Sequence, residues 1–218
     1  RFSRKDLSAF VNEHYSPDRM ILSAAGGIDH DTLCKLAEKA FGDLPKPKLS
    51  HQSMAAAFSG GEFRRDKKLE QAHFALAFES PSYRSRDIYT AQVYSIALGG
   101  GMSSRLFQQI REKRGLCYSI FAQAGAFSDT GFTTIYAGTS AEQIPDLANL
   151  TVNELKRLAL DLSEAEVTRA RSQMKAGLLM GLESPSSRAE RLARMIQIWG
   201  KVPSLDETIK KIDSVNLD

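Results

Sequence analysis

The sequence has few of the residues from which metal and nucleophile sites are usually built. Its four histidines, at positions 14, 30, 51 and 73, are too widely spaced to form H-E-x-x-H or H-x-x-E-H. No G-x-S-x-G sequence is present, so the nucleophile elbow of many serine hydrolases is absent. The sequence therefore predicts no metal site and no serine nucleophile in this chain.

Other scarcities exclude further classes of protein. Cys34 and Cys117 are too few for a disulfide framework, which fits a reducing compartment. No apolar run reaches the roughly 18 residues of a membrane helix. The 29 Lys and Arg nearly balance the 26 Asp and Glu, so the net charge of +3 gives no strong attraction to nucleic acid. We expect neither a nucleic-acid partner nor a membrane span.

Hydrophobic periodicity predicts an α+β fold, with an antiparallel sheet and helices packed on it. With 42% hydrophobic and 25% charged residues, the composition is that of a globular protein. Strands are predicted over about 20–25, 61–66, 71–79, 117–127 and 131–138, and helices over about 3–14, from Asp29 or Asp31 to 41, 87–98, 104–114, 141–160, 163–182, from Pro185 to Trp199, and from Ser204.

Residues 44–60 interrupt this pattern. Proline, serine and glycine are scattered through them without sustained periodicity, which is typical of a linker. The linker would separate residues 1–43 from residues 61–218.

Three consecutive glycines, Gly99, Gly100 and Gly101, lie between two predicted helices and are followed by Ser103 and Ser104. No lysine follows as a Walker-type phosphate loop requires. Consecutive glycines allow close backbone approach or mobility. Two interpretations stay open here: a flexible connection between helices, or a mobile loop that contacts substrate.

The next stretch, residues 106–120, reads as a helix that Gly115 closes at its C-terminus, followed by a strand. Arg111 falls in the last helical turn, where a cation complements the helix dipole. Tyr118 falls early in the strand. On these grounds alone, Arg111 is a surface cation and Tyr118 a half-buried aromatic residue.

The run GGGMSSRLFQQIREKRGLCYSI, residues 99–120, resembles the second domain of the pitrilysin, insulinase and mitochondrial-processing-peptidase family of zinc peptidases. It is most similar to the bacterial and mitochondrial processing branch. The similarity extends back through Gln71-Ala72-His73 and forward through the helix from Ser163. Residues 2–7, 15–20 and 26–30 resemble the end of the family's first domain. The whole chain is thus identified with the C-terminal part of such a peptidase.

The resemblance implies a parent protein about twice as long, in which two similar α+β domains face one another. Its zinc would be bound by an upstream H-x-x-E-H motif, so this chain would hold no metal. The family's Arg, followed seven positions later by a Tyr that reaches the substrate cavity, matches Arg111 and Tyr118. Residues 61–218 would be the second domain, truncated before its last helix and strand. Gly99, Gly100, Gly101, Ser103 and Ser104 would contact substrate.

The implied function is part of a zinc-dependent endopeptidase that cleaves peptides or unfolded segments, with the isolated fragment inactive. The alternative is a non-catalytic structural or binding subunit, like the core proteins of the respiratory bc1 complex. The expected partners are a peptide substrate, the missing first domain, and a second subunit in a homodimer or heterodimer. The expected location is the bacterial cytoplasm, with the mitochondrial matrix as the alternative.

Residues 1–42 present one further expectation. They resemble a helix–strand–helix unit from the end of the first domain, and the second domain's own copy would begin near residue 212. We therefore hypothesise that the strand over 20–25 pairs with a strand from residues 61–139, in the same or another copy.

Overall fold

The computed structural model describes residues 1–44 and 54–217. These ranges form a three-stranded antiparallel sheet and seven α-helices, which confirms the α+β prediction. None of these helices is long and apolar enough to cross a membrane. The strands are β1 (Ala72–Ser80), β2 (Ser119–Ala126) and β3 (Gly131–Thr139), and the helices are α1 (Arg4–His14), α2 (His30–Phe41), α3 (Ile88–Gly99), α4 (Ile144–Asp161), α5 (Glu164–Gly181), α6 (Pro185–Trp199) and α7 (Leu205–Asp213), with 3₁₀ turns at Pro17–Arg19 and Ala141–Gln143 and a π-helix at Phe107–Glu112.

The chain divides into two compact units. One comprises Arg1–Met54 and Leu179–Pro203, and the other Ala55–Leu178 and Ser204–Asp218. The division after Met54 falls within the predicted linker 44–60, of which residues 45–53 lie outside the described residues. In the first unit, α6 contacts the N-terminal segment, since the Ser23 hydroxyl donates to the Ala189 carbonyl at 2.8 Å. The assignment of residues 1–43 to the first domain of a longer protein stays a prediction.

The sheet has the order β1-β3-β2, so β3 is central. The β2–β3 hairpin pairs Ser119 with Gly138 and is closed where the Phe127 N–H donates to the Thr130 carbonyl at 2.8 Å. Side chains alternate between a buried face and an open face, as the pleat of a strand requires. The open face carries His73, Phe121 and Tyr136 among others.

The core of the second unit lies between the buried face of the sheet and helices α3 and α4. It consists of fully or nearly fully buried aliphatic residues, namely Leu98, Leu106, Ile110, Ile120, Ile135, Leu147 and Leu158. A second cluster joins α3 to α5 and to the C-terminal residues through Val93, Ala97, Val167, Ala170 and Val215. Burial of Leu106 and Ile110 in this cluster holds the π-helix against the core.

Two predicted strands are not formed. Residues 20–25 and 61–66 belong to no strand in the described part of the chain, and the side chains of Ile21 and Leu22 are 39% and 53% exposed. An apolar run becomes a strand only where a partner edge supplies hydrogen bonds, and the run alone does not specify one. The hypothesis that residues 20–25 pair with a strand from 61–139 is therefore wrong within one copy, and pairing with another copy stays a prediction.

Candidate functional site

The loop that follows α3 is fixed by side chains. The carbonyl groups of four consecutive residues, 100 to 103, each accept a hydrogen bond from a side chain. The pairs are Gln173 Nε2 to Gly100 (2.7 Å), Ser104 Oγ to Gly101 (2.6 Å), Gln108 Nε2 to Met102 (2.7 Å) and Arg169 Nη2 to Ser103 (3.4 Å). These hydrogen bonds fix the conformation of the loop, although its glycines would allow a flexible connection.

The backbone N–H groups of the same loop are free. Within residues 1–44 and 54–217, those of Gly101, Met102 and Ser103 donate to no protein acceptor. Because the carbonyls are occupied, the loop offers hydrogen-bond donors and few acceptors. Its hydrogen-bonding capacity therefore matches a ligand that presents carbonyl or carboxylate oxygens.

The predicted contact residues have different environments. Gly99 is buried, and a Cβ on it would lie 2.4 Å from the backbone nitrogen of Ala122, so its lack of a side chain lets α3 approach β2. Ser104 is buried and its hydroxyl serves the loop itself. Ser103 is exposed. Contact of these residues with substrate stays a prediction. For Gly99, packing against β2 is enough to explain why the residue is a glycine.

Arg105 anchors the start of the helical segment after the loop. Its Nε and Nη2 donate to the two carboxylate oxygens of Glu166 at 2.6 and 2.8 Å, and its Nη1 and Nη2 bond the side chain and the carbonyl (2.9 Å) of Asp161. The Arg105 and Glu166 side chains are only 12% and 15% exposed. Hydrogen bonding by Arg105 lowers the pKa of Glu166 to about 2, and that of Asp161 below its ordinary value.

The predicted helix over 104–114 is formed as a π-helix over Phe107–Glu112, in which the Lys113 N–H donates to the Gln108 carbonyl at 3.1 Å. The guanidinium carbon of Arg111 lies 4.5 Å from the centroid of the Phe107 ring. The Arg111 side chain is half-buried, and within the described residues no carboxylate pairs with it. This cation is therefore available to a ligand. Short π-helical segments are frequent at functional sites.

Gly115 ends the helical segment, as the sequence predicts. It has a φ of +62°, its N–H donates to the Arg111 carbonyl at 2.9 Å, and the Leu116 N–H donates to the Ile110 carbonyl at 3.1 Å. The chain then enters the sheet through Tyr118, whose N–H donates to the Gly138 carbonyl at 3.0 Å. The Tyr118 side chain is 73% exposed and not half-buried, because Tyr118 lies one residue before β2.

Cys117 connects the two predicted catalytic residues. Its side chain is buried, and this burial raises the pKa of its thiol, while the nearby charge of Arg111 acts in the opposite direction. Arg111 therefore lies near the Cys117 thiol, and Cys117 immediately precedes Tyr118. Within the described residues, Arg111 and Tyr118 share no hydrogen bond and no cation–π contact. The turn at Gly115 joins them.

Arg105 was not singled out by sequence reasoning, although it lies within the glycine-to-tyrosine run. Its partners are 56 and 61 residues away, and nothing in the sequence pairs them. The one signal in the sequence is that Ser163 and Glu166 have the spacing of a capping box, and the structure forms it: the Ser163 N–H and hydroxyl donate to Glu166 at 3.0 and 2.7 Å. Because the capping box already explains Glu166, the sequence gives no reason to expect Arg105 as its partner.

Residues 1–44 and 54–217 contain no group of three or more His, Cys, Asp or Glu side chains that could hold a metal ion. His30 Nε2 and Cys34 Sγ lie 3.5 Å apart on α2, which supplies two ligands at most. These residues do not fit a zinc site of the usual three or four protein ligands.

Comparison with known proteins places the chain in a family. Residues 1–174 match the domain described as the peptidase M16 inactive domain. The chain belongs to the peptidase M16 family. This is the pitrilysin-type family to which the sequence bears its resemblance. M16 relatives include an uncharacterized zinc protease of Rickettsia bellii (36% identity) and the uncharacterized zinc protease YmxG of Bacillus subtilis (35% identity). The two alignments include 98% and 100% of this chain, but only 52% and 53% of the relatives' own sequences.

A further relative is the mitochondrial-processing peptidase subunit beta of Blastocladiella emersonii, 35% identical over 99% of this chain and 48% of its own length. The chain thus spans about half the length of the curated M16 relatives that it matches. Among solved structures, it resembles a chain of complex III2 from Candida albicans with a TM-score of 0.82 and 25% identity, covering 99% of this chain and 54% of that one. A protease from Helicobacter pylori shares the fold, with a TM-score of 0.78, 20% identity, and coverage of 100% and 54%.

Proposed function

We propose that this chain is the substrate-binding part of a zinc-dependent endopeptidase that cleaves peptides or unfolded segments. The observation that carries the proposal is that an available cation and an exposed phenol lie on either side of the turn at Gly115. Arg111 is held on Phe107 without a carboxylate partner, and Tyr118 is exposed a short turn further along the chain. The names of the zinc protease relatives support hydrolysis of peptides by the whole protein.

Each side chain has a chemical task. Attack of water on a peptide carbonyl leaves negative charge on the carbonyl oxygen, and the Tyr118 hydroxyl can donate a hydrogen bond to it. The Arg111 guanidinium can donate to a neighbouring substrate carbonyl. Its stacking on Phe107 reduces the number of positions that the cation samples, so less freedom is lost when substrate binds.

The glycine loop supports the same substrate class. The free N–H groups of Gly101, Met102 and Ser103 are donors for the carbonyls of an extended peptide. Recognition through backbone atoms would permit cleavage of many sequences.

We place the zinc and its ligands on residues outside this chain, because the described residues do not provide a site. The chain's partners would then be a peptide substrate, the remainder of the parent protein, and a second subunit. Relatives with bacterial and with mitochondrial names are both found, and we propose the bacterial cytoplasm as the location, with the mitochondrial matrix as the alternative.

A second candidate function is a non-catalytic structural subunit of the same fold. The similarity to a complex III2 chain favours it. Under this alternative the full-length parent protein would not hydrolyse peptides, so one experiment separates the two.

The experiment uses the full-length parent protein and an internally quenched peptide substrate. Tyr118→Phe is expected to lower kcat by about tenfold to a thousandfold with a smaller change in KM, as for one lost oxyanion donor. Arg111→Ala is expected to raise KM as well. Tyr15→Phe and Arg114→Ala, which change an exposed phenol and an exposed cation elsewhere, are the matched controls. Wild-type kcat/KM in both test variants would rule out the proposed roles.

A further inference from the structure

The end of the sheet beside Tyr118 carries a group of polar side chains gathered around a glycine. Gly138 on β3 pairs with His73 on β1 and with Ser119 on β2. It is buried, and a Cβ on it would lie 3.2 Å from Gln71 Oε1, 3.4 Å from Ser119 Oγ and 3.6 Å from Tyr136 Oη. Three hydrogen-bonding groups therefore converge over this glycine, and the missing side chain leaves room for the closest of them, Gln71. We call Gln71, His73, Ser119 and Tyr136 the polar cluster.

The polar cluster is held in place on one side and free on the other. His73 Nδ1 and the Tyr136 hydroxyl lie 2.8 Å apart, and the ring of Phe121 lies 5.2 Å from that of Tyr136. The Gln71 amide and the Ser119 hydroxyl form no hydrogen bond with any described residue, and both side chains are exposed. The cluster thus combines an ordered aromatic part with unused donors and acceptors.

The position of the cluster ties it to the proposed site. The carbonyl of Gly138 accepts the hydrogen bond from the Tyr118 N–H, and Ser119 is the next residue along the chain. An extended peptide whose scissile carbonyl is bound by the Tyr118 hydroxyl would run past this end of the sheet, with its side chains on one face recurring about every 6–7 Å.

We propose that the polar cluster is a specificity subsite for a short, neutral, hydrogen-bonding side chain of the peptide substrate, that is, Ser, Thr or Asn. This inference rests on the proposed function. Hydroxyl and amide groups both donate and accept, so they match a substrate hydroxyl or amide, and an apolar side chain of the same size leaves them unpaired. The groups converge directly over a glycine, which favours a short side chain.

The test profiles cleavage of a mixed peptide library by the full-length protein, with the products identified by mass spectrometry. At one position near the scissile bond, wild type is expected to prefer Thr to the isosteric Val, and Ser to Ala, by about threefold to tenfold, the equivalent of one hydrogen bond. Gly138→Ala places a methyl group 3.2 Å from Gln71 Oε1, so Gln71 has to move out of the cluster, and the variant should lose this preference. Gly125→Ala is the matched control, because Gly125 lies on the same face and a Cβ there meets nothing closer than 3.6 Å.

Four outcomes decide the matter. Loss of the preference in Gly138→Ala but not in Gly125→Ala supports the subsite, and a wild-type profile without the preference overturns it. If Gly138→Ala does not fold, Ser119→Ala decides, since it removes a hydroxyl without adding bulk; an unchanged Thr-to-Val ratio in that variant overturns the subsite. No cleavage at all by wild type overturns the proposed function and the subsite with it, whereas cleavage without the preference overturns the subsite alone.

Discussion

The guanidinium carbon of Arg111 lies 4.5 Å from the centroid of the Phe107 ring, four residues earlier in the same π-helix. Phe107 also packs against the hydrophobic core. One aromatic side chain therefore links the core of the second unit to the cation that we assign to substrate binding. The position of Arg111 thus depends on Phe107, an uncharged residue to which we assign no contact with substrate.

Phe107→Leu should weaken catalysis by the full-length protein, because it keeps an apolar side chain in the core but removes the cation–π contact. We expect kcat/KM to fall by about twofold to fivefold, mostly through KM. Phe107→Tyr retains the ring and should restore near wild-type values. Equal losses in the two variants, once melting temperatures are matched, would show that the ring does not position Arg111.

Glu166→Gln should destabilise the fold. The substitution preserves shape but removes the charge that receives two hydrogen bonds from Arg105, at a cost of about 2 kcal/mol in the free energy of unfolding. Glu164→Gln is the control in the same helical turn. Glu164 pairs with Arg171 at 3.1 Å but is 60% exposed, so its loss should cost less than about 1 kcal/mol. Urea unfolding measures both, and equal costs would contradict the assignment.

The same carboxylate predicts a dependence of stability on pH. The pKa of Glu166 is lowered from 4.5 to about 2 in the folded chain, chiefly by hydrogen bonding from Arg105. A depressed acid contributes stability that is fully present above its unfolded pKa and is lost as the pH falls towards the folded value. The difference in unfolding free energy between wild type and Glu166→Gln should therefore shrink between about pH 4.5 and pH 2. A difference that stays constant across this window would refute the ion pair.

Gly99→Ala should be strongly destabilising. The added Cβ would lie 2.4 Å from the Ala122 backbone nitrogen and 2.7 Å from its Cβ, so α3 would be forced away from β2 at a cost of about 1–3 kcal/mol. Gly177→Ala in α5 meets nothing within 4 Å and should stabilise the protein by about 0.5–1 kcal/mol, as expected for a helix interior. Thermal unfolding gives both values. A neutral Gly99→Ala would mean that the close approach does not fix this glycine.

The chain alone should not bind zinc stoichiometrically. Among the described residues, His30 and Cys34 lie close enough to share a metal, but two ligands do not make a stable zinc site. Elemental analysis of purified, tag-free chain equilibrated with micromolar zinc should give much less than one equivalent, with no chelator-sensitive proteolysis. One equivalent of zinc, or such proteolysis, would contradict this.

The sequence predicted the elements whose signals are local. Ser3, Ser163 and Ser204 start helices as their capping partners indicate, and Gly115 closes the helical segment before β2. The strand predicted over residues 20–25 is not formed, because a strand needs a partner edge that no local pattern specifies. The Arg105–Glu166 and His73–Tyr136 contacts join residues 61 and 63 positions apart, so they depend on the fold and could not be predicted.

The strand order β1-β3-β2 also has a consequence for the course of folding. β2 and β3 are joined by four residues, so their hairpin closes at little cost in chain entropy. β1 pairs with the same central strand across the 50 residues that separate Ser80 from Gly131, and that contact has to order a much longer loop. We therefore expect the hairpin that begins beside Tyr118 to form early, and the strand that contributes His73 to the polar cluster to join it late.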